Sequence, residues 1–155
     1  MNDELGQQDD FEQDLPEQIA VRLAKRERLN ELGEAYPVSL PITHTIEQVR
    51  AAYPDLEIDV TTGDKVGIAG RVMFQRNTGK LCFATLQAGG GERIQAMLSL
   101  DKVGEERLDL FKELIDLGDH LFVFGEVITS KRGELSILVD EWQIAAKTIR
   151  PLPNL

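Results

Sequence analysis

From Lys65 to about Lys147 the apolar side chains recur at every second position, in five runs separated by short turns and by one stretch of different period. A period of two is the pattern of pleated strands with one buried face. In the first run Val66, Ile68, Gly70 and Val72 alternate with Gly67, Ala69, Arg71 and Met73. The turn Thr78-Gly79-Lys80 feeds the second, Leu81 to Gln87. There Cys82, Ala84 and Leu86 share a compact apolar face, and Leu81, Phe83 and Thr85 share the other. Ala88 to Glu92 is a glycine-rich turn into the third run, Arg93 to Ser99, with Ile94, Ala96 and Leu98 opposite Arg93, Gln95 and Met97. Leu108, Phe111, Leu114 and Ile115 then fall at helical spacing between about Asp101 and Leu117, with Gly118 as the stop. Asp119 to Ile128 reads as the fourth strand and Thr129 to Gly133 as a turn. Glu134 to about Lys147 is the fifth, with Leu135, Ile137 and Val139 facing away from Glu134, Ser136 and Leu138.

Three strands, a helix and two further strands predict a mainly β domain, a five-stranded Greek-key barrel of the OB-fold type over residues 65–149. The rivals are another small barrel and an open sheet covered by the helix. N-terminal helices precede it, in an extension over residues 16–64. Asp14, Pro16 and Glu17 mark a helix start, Ile19, Leu23, Leu29 and Leu32 form its apolar stripe, and Gly33 closes it. Its other face carries Arg22, Lys25, Arg26 and Arg28, which reads either as a solvated face or as a strip beside a phosphate backbone or a partner. Residues 35–41 are a proline-punctuated connector. Thr45 and Gln48 form a capping box for a short helix to about Tyr53, and Asp55 to Asp64 is loop. Residues 1–15 hold Asp3, Glu4, Asp9, Asp10, Glu12 and Asp14 without a basic residue, the composition of a disordered acidic tail.

The formal net charge is -10, which argues against nonspecific binding to nucleic acid, since that is driven by phosphate neutralisation. Any such contact must be local and selective, or helped by another domain. The lone cysteine, Cys82, excludes an internal disulfide and reads as a small buried hydrophobe in a reducing compartment. No apolar run is long enough to span a bilayer, so the chain reads as cytoplasmic. No catalytic constellation is present. Gly89-Gly90-Gly91 lacks the lysine and hydroxyl residue of a phosphate loop, and His44 and His120 have no neighbouring metal-type ligands. No catalytic residue, metal ligand or cofactor site is therefore expected in this chain.

The informative residues lie on the outer side of the predicted barrel. Phe83 is either packing under a loop or a platform on which an unpaired base stacks. Gln95 offers an amide that donates and accepts, Glu134 a carboxylate that accepts, and Arg76 a planar cation. Uracil presents an N–H between two carbonyls, which suits a carboxylate flanked by an amide or guanidinium. Cytosine places a lone pair where that N–H was. Taken singly, each of these residues reads equally as an ordinary solvated side chain. Their common placement is what points to a base-reading face.

Across Tyr36-Pro37-Val38, Thr43-His44-Thr45, Val66 to Arg71, Gly79 to Leu86, Ile94-Gln95, Asp116 to Asp119, Arg132 to Ser136 and Arg150 to Pro153 the chain resembles the N-terminal region of bacterial class II lysyl-tRNA synthetases, of actinobacterial type. The likeness covers about Leu15 to Pro153, and departs from the family in the longer turn Ala88 to Glu92. It implies that the barrel binds the anticodon loop of the tRNA for lysine. Phe83 would stack on the central uridine, with Arg76, Gln95 and Glu134 as anticodon contacts. It also implies that residues 150–155 are the stub of a linker to a catalytic domain, that ATP and magnesium are bound there, that the whole enzyme is a homodimer, and that these 155 residues alone are inactive. Two other classes remain, a free-standing single-strand-binding module and a protein-interaction domain that has kept the barrel without binding RNA.

Overall fold

A computed structural model describes residues 15–28, 41–146 and 148. The acidic tail, the end of the first helix at Leu29 to Gly33, the connector before Pro41 and the Arg150 to Pro153 segment lie outside the described residues. Helix α1 covers residues 15–28, and α2 covers Ile46–Ala52. The strands are β1 (Thr61–Thr78), β2 (Leu81–Gln87), β3 (Arg93–Ser99), β4 (His120–Thr129) and β5 (Leu135–Ala146), with α3 (Leu100–Val103) and α4 (Glu105–Leu114) between β3 and β4. The strands close into a barrel in the order β1-β2-β3-β5-β4. All neighbours are antiparallel except β3 and β5, which are parallel through Gln95 to Met97 against Ser136 to Leu138.

The alternation read from the sequence fills this barrel. Ile68, Val72, Cys82, Leu86, Ile94, Leu98, Leu121 and Ile137 are completely or almost completely buried, and Ala84 and Ala96 keep the middle narrow. Helix α4 adds Leu108, Phe111 and Leu114 to the same core. Trp142, at the barrel's rim, is satisfied on every side. Its Nε1 donates to the Arg107 carbonyl at 3.1 Å, the Arg107 guanidinium lies 4.0 Å above its ring, and Phe111 meets it edge-on at 5.6 Å. The capping box of α2 is present, with Gln48 N donating to Thr45 Oγ1 and Thr45 N donating to Gln48 Oε1.

Three expectations need correction. Thr61 to Asp64 belongs to β1 rather than to a loop. Its residues are polar and show no alternation, but Thr61 pairs with Ile128 and Thr62 Oγ1 donates to the Val127 carbonyl, so β4 serves as the template. The single helix expected from Asp101 to Leu117 is two helices broken at Gly104, whose φ of 85° and ψ of 158° no helix accommodates. It also stops at Leu114, before Gly118. The buried Asp119 carboxylate accepts from Asp116 N at 2.8 Å and turns the chain there, and Gly118 N then donates to the Val72 carbonyl at 2.7 Å. Finally, β5 begins at Leu135, leaving Glu134 in the preceding turn.

The basic face of α1 is turned toward the barrel. Lys25 bonds both carboxylate oxygens of Asp116 (3.0 and 3.1 Å), Arg22 approaches the same group at 4.0 Å, and Arg28 pairs with Glu113. Three of the four cations read as facing solvent, a phosphate backbone or a partner thus pair with carboxylates of the α4–β4 region, Lys25 and Arg22 partly buried and Arg28 exposed.

Two expected outcomes follow from this packing. A Cβ on Gly125 would sit 2.0 Å from the Leu138 carbonyl oxygen, beside the irregularity in β4–β5 pairing at Phe124/Gly125. Gly125→Ala should therefore cost at least about 1–3 kcal/mol, the usual cost of overpacking, read as a lowered midpoint in urea unfolding. Burial pushes the Cys82 thiol pKa up. The folded protein holds that proton to higher pH than the unfolded chain, so the thiol should resist a thiol reagent at neutral pH and react on unfolding. Its contribution to stability should decline as pH rises above the ordinary thiol range. Rapid labelling of the folded protein would contradict this placement.

Candidate nucleic-acid interface

The outer side of β1, β2, β3 and β5 carries three rows of side chains, fixed by strand register. Arg76 on β1 lies opposite Phe83 on β2, which lies opposite Met97 on β3 and then Leu138 on β5. In the next row Phe74 faces Thr85, then Gln95, then Ser136. The third row holds Arg71, Gln87 and Arg93, and Glu134 extends it two residues before Ser136.

Phe83 is outward, as the alternation requires, and half-buried. Part of its cover is Arg76, whose guanidinium carbon lies 4.6 Å from the ring centroid, a cation–π stack. Arg76 owes its direction to an irregularity between Val72 and Phe74. Continued alternation from the buried Val72 would have turned positions 74 and 76 inward. One extra residue on β1 turns both outward instead.

Gln95 is partly buried, and its orientation is set by a relay. Ser136 Oγ donates its only proton to the Glu134 carbonyl at 3.0 Å, so it can only accept from Gln95, whose Nε2 lies 3.1 Å away. The amide oxygen of Gln95 is thereby turned away from Ser136 as an acceptor.

Glu134 is exposed and set apart from the other three. Its carboxylate faces the Arg50 guanidinium on α2 at 3.4 Å, and Arg50 Nε also donates to the Arg93 carbonyl. From Phe83, Glu134 is two rows and two strands away, roughly 13 Å along the strands and roughly 10 Å across them. Register joins Arg76, Phe83 and Gln95 around one position and leaves Glu134 at the next. A single uracil held by all four residues does not fit this spacing.

Two residues escaped the sequence reading. Phe74 has the parity of the buried Val72, so its outward direction was hidden by the bulge. Arg50 sits on a short helix far in sequence from β5, and no local signal connects it to Glu134. Around this face Arg71, Arg76 and Arg93 concentrate positive charge on a chain whose formal net charge is -10. Among the described residues no group of His, Cys, Asp or Glu could hold a metal ion, and no helix is long and apolar enough to cross a membrane.

A family model for an OB-fold nucleic acid binding domain of the tRNA anticodon type matches residues 66–145. The chain is 59% identical over 145 residues to a lysine–tRNA ligase of Mycolicibacterium gilvum, covering 93% of this chain and 29% of that protein. It is 53% identical over 151 residues to a lysine–tRNA ligase of Kineococcus radiotolerans, covering 97% and 30%. A lysylphosphatidylglycerol biosynthesis bifunctional protein of Mycobacterium ulcerans is 39% identical over 147 residues, covering 94% of this chain and 12% of that one. The chain thus spans about three-tenths of the length of the two ligases.

The Arg50–Glu134 pair is part-exposed, with side-chain exposures of 36% and 54%. Arg50→Met is expected to lower stability by no more than about 1 kcal/mol in thermal unfolding, the upper range for exposed ion pairs. A larger loss would show that the bond from Arg50 to the Arg93 carbonyl anchors α2 to the barrel.

Proposed function

The chain belongs to the OB-fold nucleic acid binding domain family, and we propose that its outer β1–β2–β3 face binds the anticodon loop of the tRNA for lysine. The observation that carries this reading is the Arg76–Phe83 stack with the Gln95 amide, held through its Nε2 by Ser136, one row away. An unpaired uracil would take the place over Phe83 that the Arg76 guanidinium now fills, give its N–H to the Gln95 amide oxygen and take a hydrogen bond from the displaced Arg76 at a carbonyl. A cytosine in the same place would set its ring lone pair against the Gln95 oxygen. Glu134, held by Arg50, would address the edge of a neighbouring base rather than the same one. The three arginines of the face supply the local attraction that the acidic chain lacks overall.

On this reading the domain is the tRNA-selecting part of a lysine–tRNA ligase that acts in the cytoplasm as a homodimer. Ligation, with its ATP and magnesium, belongs to a catalytic domain outside these residues. The domain by itself selects and positions the RNA and performs no bond-making step. The alternative of a general single-strand binder makes a different forecast, equal affinity for the hairpin and for oligo-dT.

The test is a titration of a lysine-anticodon RNA hairpin, the same hairpin with its central uridine changed to cytosine, and oligo-dT. The first should bind best. Phe83→Ala should weaken it by roughly 5- to 150-fold, the span of about 1–3 kcal/mol for one stacked base. Unchanged hairpin affinity in Phe83→Ala, or equal affinity for all three nucleic acids, would overturn the reading.

A further inference from the structure

We propose that Phe74 is a second stacking platform, which carries the nucleotide adjacent to the one resting on Phe83; the inference builds on the RNA-binding reading above. Three observations converge on it. Phe74 is 59% exposed, the aromatic residue among the large exposed hydrophobics of the described chain. Its direction is produced by the β1 bulge, a feature that re-aims side chains at functional edges. It also stands in the row of Thr85, Gln95 and Ser136, one row from Phe83 and on the same strand face as Arg76.

A singly exposed phenylalanine is ordinary on a protein surface. Phe74 differs in that its backbone is fastened next to the turning point. Val72 N donates to the Asp119 carbonyl at 2.8 Å, and the Val72 carbonyl accepts from Gly118 N at 2.7 Å. Both polar backbone groups of the residue before the bulge are thus tied to the α4–β4 turn. The backbone already turns Phe74 outward before any RNA arrives, which lowers the ordering cost that a stacking surface has to meet. Its neighbours favour a nucleotide over an apolar partner. Arg76 and Arg71 flank it on β1 with positive charge for a phosphate, and Gln95 lies in its row with a polar edge. Two aromatic plates one row apart match successive unpaired nucleotides of a loop, each base on its own ring, with Arg76 between them.

The experiment is a set of double-mutant cycles between protein and RNA. The 155-residue protein, Phe74→Ala, Phe74→Tyr and Phe83→Ala are each titrated with the lysine-anticodon hairpin and with hairpins made abasic at one loop position at a time. Thermal unfolding of Phe74→Ala should match the parent, because the ring is exposed. Phe74→Ala should weaken the intact hairpin roughly 5- to 150-fold, and Phe74→Tyr should restore it. One abasic position next to the central nucleotide should weaken the parent protein but have no further effect on Phe74→Ala. The central abasic position should show that coupling with Phe83→Ala instead. Coupling for Phe83 with none for Phe74 at any position would overturn this inference and leave the RNA-binding reading standing. Absence of coupling for both residues would overturn both.

Discussion

The Asp119 carboxylate, fully buried, sets the geometry on which the outer face depends. One oxygen accepts from Asp116 N and the other from Thr148 N at 2.7 Å, so the turn between α4 and β4 has a fixed shape. That turn presents the Gly118 N–H and the Asp119 carbonyl to Val72. With Val72 tied on both sides, β1 adds its extra residue at Met73, and Phe74 and Arg76 come out on the face already occupied by Phe83. A buried carboxylate is costly unless its charge is met by hydrogen bonds. Here the donors that meet it belong to the turn and to the departing chain, so the same bonds that satisfy the charge hold the bulge in register. Helix α1 closes the arrangement from outside through Lys25 and Arg22 on Asp116.

The electrostatics of the face follow from where charge is spent elsewhere. Arg22, Lys25 and Arg28 are drawn onto Asp116 and Glu113 and pin a helix. Arg71, Arg76 and Arg93 stand on the outer rows instead. An acidic molecule with a local cationic patch repels a polyanion at long range and attracts a short segment once it is seated. For such a patch, discrimination between bound segments rests on short-range contacts, and the Phe83 ring and the Gln95 amide are the side chains that the patch surrounds.

Much of the fold was legible because its core obeys a single rule. Cys82, Ala84 and Leu86, or Ile94, Ala96 and Leu98, announce a strand and its buried face without further help. Phe83 and Gln95 were legible for the same reason, being the other half of that alternation. What escaped was set by long-range contacts. Thr61 to Asp64 is a strand only because β4 lies beside it. The helix from Asp101 breaks at Gly104 through that residue's own positive φ, and it stops at Leu114, after which the Asp119 carboxylate takes the Asp116 N–H. The bulge reverses the parity of Phe74 beside Val72's bonds to Gly118 and Asp119, far along the chain, about which the local pattern is silent. Glu134 is exposed, and its separation from Phe83 depends on the parallel register of β3 and β5, which no run of residues encodes by itself.

That parallel register is also the barrel's narrowest seam. β3 and β5 pair through Gln95, Ala96 and Met97 alone, against seven paired positions for β2 with β3, and parallel pairing is slightly weaker per residue. The seam is reinforced by side chains. Gln95 Nε2 reaches Ser136 Oγ across it, Ser136 Oγ reaches back to the Glu134 carbonyl, and Arg50 spans from the Arg93 carbonyl to the Glu134 carboxylate. The Gln95 amide is therefore one of the fasteners that close the barrel. A change at Gln95 or Ser136 disturbs the seam and the acceptor together, whereas one at Phe83 or Phe74 removes only an outward ring. The face thus divides into outward rings that the fold can spare and polar side chains that it cannot.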